Sequence, residues 1–183
     1  MTIAPLSAAA VATKLHDLRA SLISELETLS DAQWEWTPDD AHWSAALIAE
    51  HIAVVERSIA RLFGERFETL EAVNFTDEQR AKRDQVIALG VPDRTRRIEA
   101  PEGARPKRRF ATRAECMAAL LAARDQMTEV VRTRGDTLRG RIVPHPAFGN
   151  LDGVQWGLVC ALHGARHLAQ AAELRTLPGY PAA

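Results

Sequence analysis

Two histidines, His163 and His167, stand four residues apart in the segment GLVCALHGARHLAQ. In a helix that spacing stacks both imidazoles on one face, with Cβ atoms about 6 Å apart, close enough to chelate one ion. An H-x-x-x-H pair alone is weak evidence, because such histidines more commonly serve as hydrogen-bonded core polarity. A third histidine, His51, falls inside the apolar stripe of another segment, three residues after Ile48 and four before Val55. A neutral imidazole there carries a burial cost unless a partner satisfies it. One divalent ion shared by His51, His163 and His167 would do so. Three neutral imidazoles suit Zn, Ni, Fe or Cu and leave coordination positions open to water or substrate. Spacing alone leaves the metal reading and the plain core reading both open.

Other chemistries find less support. No histidine has a glutamate three residues before it, as a di-iron carboxylate bundle requires, and H-E-x-x-H is absent. There is neither a G-x-S-x-G nucleophile motif nor a glycine-rich phosphate loop. Cys160 lies seven residues before His167 on a similar helical face, but an inert buried thiol is the favoured reading, as it is for Cys116. His16 looks peripheral, and His42 and His145 fall in loops, where positioning or simple exposure is expected. Trp34, Trp36, Trp43 and Trp156 read first as core or loop anchors. The first three cluster before the His51 segment and could also wall a pocket.

Four segments carry the helical period needed to position these side chains. Leu15, Leu18, Leu22, Leu26 and Leu29 mark the first, which ends near Ser30. Ser44 is an N-cap for the second, whose stripe comprises Leu47, Ile48, Ile52, Val55, Ile59, Leu62 and Phe63. The third starts near Thr112, with Met117, Leu120, Met127 and Val131 facing inward and Arg124 at the edge of that face. Gly135 ends it. The fourth runs from about Gly153 to Leu174, capped by Asp152 with Gln155. Between 64 and 112 the pattern weakens. Thr76 and Gln79 have capping-box spacing, so a short helix is expected from Asp77 to Leu89. The segment PDRTRRIEAPEGARPKRR reads as a solvated surface excursion. A turn at Pro144-His145-Pro146 precedes the last helix. The expected architecture is an all-α, antiparallel four-helix bundle with an irregular excursion between helices two and three.

Composition agrees and narrows the functional classes. A chain of 183 residues, 46% hydrophobic and only 5% aromatic, fits one domain over 1–183 packed through aliphatic helices. Its net charge of −1 and pI near 6.6 give no reason to expect nucleic acid or an acidic membrane. Two cysteines cannot form a disulfide framework, no stretch is apolar enough to span a membrane, and the N-terminus does not read as a signal peptide. A cytoplasmic protein is expected.

The chain resembles the DinB-like superfamily, also called DinB/YfiT-like metalloenzymes. The matching pieces are Trp43-Ser44 followed by Ala49-Glu50-His51-Ile52, and HPAFGNLDGVQWGLVCALHGARHLAQ, which ends in H-x-x-x-H-x-x-Q. The ordered set is more specific than any one piece. The resemblance implies an up-down-down-up bundle, often a homodimer, with a metal ion (Zn, Ni or Fe) on His51, His163 and His167. It further implies a small-molecule substrate and transfer of a low-molecular-weight thiol, of the bacillithiol or mycothiol type, through a metal-activated thiolate. A metal-dependent hydrolase and a non-catalytic, stress-associated metal protein are the alternatives.

Overall fold

The computed structural model describes residues 4–95 and 98–182. Four long helices form the body: α1 (Ala8–Glu27), α3 (Ala45–Glu65), α5 (Arg113–Arg134) and α6 (Gly153–Leu174). Two shorter ones, α2 (Asp31–Glu35) and α4 (Asp77–Gly90), lie in the connections. Each long helix begins on a side-chain cap of the kind its sequence offers. Ser7, Ser44, Thr112 and Asp152 accept the N–H groups of Ala10, Leu47, Glu115 and Gln155. Asp152 with Gln155 and Thr76 with Gln79 make the expected reciprocal capping boxes. Gly135, at φ +55°, ends α5 in a conformation glycine adopts without steric penalty.

Helix direction follows from the contacts. Along α3 and α5 the sequence runs the same way: Ala46 meets Cys116, Glu56 meets Arg124, and Gly64 meets Arg134. A Cβ added at Gly157 would lie 2.9 Å from Val11, and one at Gly164 would lie 3.8 Å from Leu22, so α1 and α6 are also parallel. By contrast, α1 opposes α5 (Arg19 to Asp125, Leu26 to Arg113), and α3 opposes α6 (His51 to His163, Phe63 beside Gly153). The bundle is therefore up-down-down-up, with each parallel pair formed by helices far apart in sequence.

The core is in two parts. Val11, Leu15, Phe63, Met127, Val131, Leu151 and Leu158 anchor one, and Leu22, Leu26, Ile48, Ile52 and Leu120 anchor the other. Between them lies an ion pair. Arg124, only 1% exposed, donates Nε–H to Glu56 Oε2 at 2.8 Å and Nη2–H to Glu56 Oε1, and reaches the carbonyls of Leu15 and Cys160. Arg124 is thus at the centre of the bundle, not at the edge of the α5 face. Its stem continues the apolar stripe while its head finds a buried carboxylate.

Three features differ from the sequence expectation. Residues 31–35 form the helix α2, opened by a Ser30–Gln33 capping box; five residues carry too little periodicity to reveal it. Three short strands, β1 (Glu71–Ala72), β2 (Arg141–His145) and β3 (Gly149–Asp152), pair antiparallel in the order β1-β2-β3. His145 therefore ends a strand, and the rigid turn follows it. Leu29, beyond the end of α1, remains buried, whereas Leu18 is only partly covered. Among the described residues no helix is long and apolar enough to cross a membrane.

Candidate metal centre

The antiparallel contact of α3 with α6 brings the three predicted histidines together. His163 Nε2 lies 3.1 Å from His51 Nε2 and 3.0 Å from His167 Nε2. One donor atom from each residue falls within 4.8 Å of the others. His51 and His167 are 4% and 8% exposed, and His163 keeps part of its surface on an adjoining cavity. Trp43 covers the group from the start of α3, its ring 5.0 Å from His51 and 6.2 Å from His167 between centroids. Of the tryptophans near this segment, Trp43 is the pocket wall. Trp34 is core, and Trp36 packs edge-on against Tyr180.

The outer nitrogens fix the orientation. His51 Nδ1–H donates to the Ala104 carbonyl at 2.7 Å, and His167 Nδ1–H donates to Gln170 Oε1 at 2.8 Å. Both rings are thereby held as Nδ1–H tautomers, with unprotonated Nε2 atoms directed at His163. His163 Nε2 can donate one hydrogen to only one of these two acceptors. Its Nδ1 is buried and has no partner among the described residues. Hydrogen bonding alone therefore leaves this cluster unsatisfied, and a cation facing three lone pairs removes the competition at Nε2, with the proton of His163 then on the unpartnered Nδ1. At metal–nitrogen distances of 2.0–2.1 Å, tetrahedral ligands stand about 3.3 Å apart, close to the 3.1 and 3.0 Å that separate His163 Nε2 from its two neighbours.

Electrostatics agree. Burial pushes His51 below its ordinary pKa. Burial, then the neighbouring imidazoles His167 and His51, pushes His163 well below it. Burial takes His167 down to about 3, with His51 contributing. All three are neutral at pH 7, the state in which imidazole binds a metal. Cys160 is not among the groups that converge with the three histidines, and burial pushes its thiol far up. Gly164 beside His163 provides room for the Arg124 side chain. A Cβ there would stand 2.8 Å from Arg124 Nη2.

The segment read as a solvated excursion supplies the support of the site. Glu50, 3% exposed, accepts the backbone N–H groups of Lys107 and Arg109 at 2.7 and 3.0 Å and the Arg109 guanidinium at 2.5 Å. Burial pushes the Glu50 carboxyl up, but these donors together hold it below its usual range. The loop so fixed carries Ala104 to His51. Other arginines of the segment do form surface pairs, Arg94 with Glu173, Arg105 with Glu99 and Arg108 with Glu35, while Arg96 and Arg97 lie outside the described residues. His42 is exposed and bonded to Asp39; it lines the same cavity without joining the three converging donors. The cluster opens on a cavity of about 1030 Å³ whose wall includes Val55, Ile59, Val159, Trp156, His145 and Arg94.

Comparisons with known proteins bear on the fold and the family. The chain is 24% identical to the uncharacterized protein YuaE of Bacillus subtilis (strain 168) over 160 residues, covering 87% of this chain and 94% of that protein. Its fold is similar to TT2238, described as a four-helix bundle protein, with a TM-score of 0.57, 24% identity, and coverage of 93% and 99%. It is also similar to YfiT from Bacillus subtilis, described as "a probable metal-dependent hydrolase with an unusual four-helix bundle topology". There the TM-score is 0.61, identity 19%, and coverage 95% and 89%. The profile of the DinB superfamily matches residues 14–171, from α1 to the last turn of α6 and across every element of the histidine cluster, and the chain belongs to that superfamily.

Proposed function

We propose that this protein is a metal-dependent enzyme that activates a small nucleophile on a divalent ion held by His51, His163 and His167. The observation that carries the reading is the convergence of three histidine Nε2 atoms on an open cavity, those of His51 and His167 left unprotonated by their outer hydrogen bonds. A closed, dry cluster would speak for a structural ion; this one has room beside it for a ligand of drug-like size. When bound, the ion supplies a Lewis-acid position that lowers the pKa of a coordinated thiol or water.

The protein's own residues do the rest. Neutral ligands leave the full ionic charge available to a thiolate. His51, through Ala104, and His167, through Gln170, keep the donor geometry fixed, and Trp43 excludes water from one side. Transfer of a low-molecular-weight thiol to an electrophilic small molecule is the favoured reaction. Hydrolysis is the second reading, favoured by the description of YfiT, a structural neighbour.

The test begins with metal content. Protein purified without added metal, then loaded with Zn, Ni or Fe, should bind one ion per chain. His51→Ala, His163→Ala and His167→Ala should each lose it, and His42→Ala should not. A panel of bacillithiol, mycothiol, glutathione and cysteine with a generic electrophile should then show turnover above the His163→Ala blank. Full metal content in all three variants overturns the site. A metallated protein silent with every thiol but active on esters or amides transfers the assignment to the hydrolase.

A further inference from the structure

His145 has no part in the cluster just described, yet it lines the same cavity as His163 and His167. It ends β2, and its ring packs on Trp156 and Phe148 at centroid distances of 5.0 and 4.8 Å. Its Nδ1 accepts two backbone N–H groups, from Ala147 at 3.0 Å and Phe148 at 3.3 Å. An atom that accepts twice carries no hydrogen, so the ring proton is on Nε2. This tautomer is opposite to those of His51 and His167. Among the described residues Nε2–H has no acceptor. Anchoring the turn explains one nitrogen of His145 and leaves the other unused.

The chemistry of that unused nitrogen is restricted. Burial lowers the pKa of His145 to about 4, so the ring is neutral at pH 7. With the turn occupying Nδ1 and a proton on Nε2, the ring cannot act as a base toward the cavity. It can only donate one hydrogen bond. It is also near enough to His163 for charge on one to bear on the other. A neutral donor in a half-buried wall selects an oxygen acceptor, most strongly a carboxylate.

We propose that His145 is a substrate-binding residue whose Nε2–H grips a carboxylate or carbonyl oxygen of the molecule whose reacting group meets the three-histidine side of the cavity. The proposal rests on the metal reading above. It defines the ligand class as bifunctional, with a metal-seeking group at one end and an oxygen acceptor at the other.

The experiment uses Co(II)-loaded full-length protein, in which d–d absorption reports ligands entering the metal's open positions. Straight-chain mercaptocarboxylates of increasing length are titrated beside ethanethiol, which has no carboxylate. His145→Asn keeps an oxygen for the turn N–H groups while its shorter amide does not reach the Nε2 position, and His145→Phe keeps the ring packing and removes the donor. At the length that spans the cavity, either variant should lose at least about tenfold in mercaptocarboxylate affinity, as expected for a hydrogen bond to a charged group. Affinity for ethanethiol should stay within about twofold. If both variants bind every mercaptocarboxylate as wild type does, or lose ethanethiol equally, the proposal is overturned while the metal site stands. A wild type that shows no cobalt spectrum overturns the metal reading, and this inference with it.

Discussion

Glu50 and His51, neighbours on α3, hold one loop at two points. Glu50 takes the N–H groups of Lys107 and Arg109, and His51 donates to the carbonyl of Ala104, three residues before Lys107. The carboxylate never touches the histidine cluster, yet it fixes the group that sets the His51 tautomer. Glu50→Ala should therefore weaken metal binding by about 10–100-fold, the usual effect of losing outer support for a ligand. Gln170→Ala should act similarly through His167. Competition with a chromophoric chelator measures both. Unchanged affinity in Glu50→Ala would show that the loop is irrelevant to the site.

The Glu56–Arg124 pair separates the two halves of the core, and its members are worth little singly. Arg124→Met leaves a buried carboxylate alone and should cost about 3–5 kcal/mol. The double variant Glu56→Leu/Arg124→Met should recover most of that loss, because no buried charge is left unpaired. Ordinary core truncation gives the scale: Leu22→Ala and Leu120→Ala should each cost about 2–5 kcal/mol. Urea denaturation of wild type and these four variants checks the order. A double variant less stable than Arg124→Met would mean that the pair contributes far more than it costs to desolvate.

The helices that carry the histidines were legible because each signal was local. A stripe at spacings of three and four places Ile48, His51 and Ile52 inward, and the caps at Ser44 and Asp152 mark where α3 and α6 begin. His163 and His167 had to share a face. That His51 meets them is a tertiary fact, carried in the sequence only by the family resemblance. The supports were harder to see. Ala104 acts through a backbone carbonyl, which no side chain advertises. Arg124 looked peripheral because its partner, Glu56, lies 68 residues away. Glu50 stood in the matching piece Ala49-Glu50-His51-Ile52, but its partners are backbone N–H groups 57 and 59 residues away. Gln170 was visible as the last residue of H-x-x-x-H-x-x-Q, and its position one helical turn after His167 accounts for its hydrogen bond to that ring.

Both thiols should be unreactive in the native state. Burial, with a smaller contribution from the charges of Glu50 and Glu35, pushes Cys116 up to about 12, and burial raises Cys160 further. Almost no thiolate is then available at neutral pH to attack an alkylating reagent. Iodoacetamide should label neither cysteine of the folded protein by mass spectrometry and both in denaturant. Labelling of Cys160 before unfolding would contradict its place beneath the histidines.

Acid should destabilise the metal-free protein, and part of the effect belongs to His145. Its pKa is about 4 when folded, lowered by burial, against about 6.5 for an unfolded histidine. Between those values the unfolded chain binds the proton and the folded chain does not, so acidification favours unfolding. This contribution to stability is complete above about pH 6.5 and disappears progressively toward pH 4. His167, lowered to about 3, acts in the same sense over a wider window. Glu56 and Asp152, raised chiefly by burial, act in the opposite sense, so the total slope cannot be assigned to one residue. The difference between two proteins can. His145→Phe retains a ring against Trp156 but cannot titrate. Its stability should fall less than that of wild type when urea unfolding is compared at pH 7.5 and pH 5. Equal losses in the two proteins would show that His145 titrates the same folded and unfolded, contrary to its placement on the cavity wall.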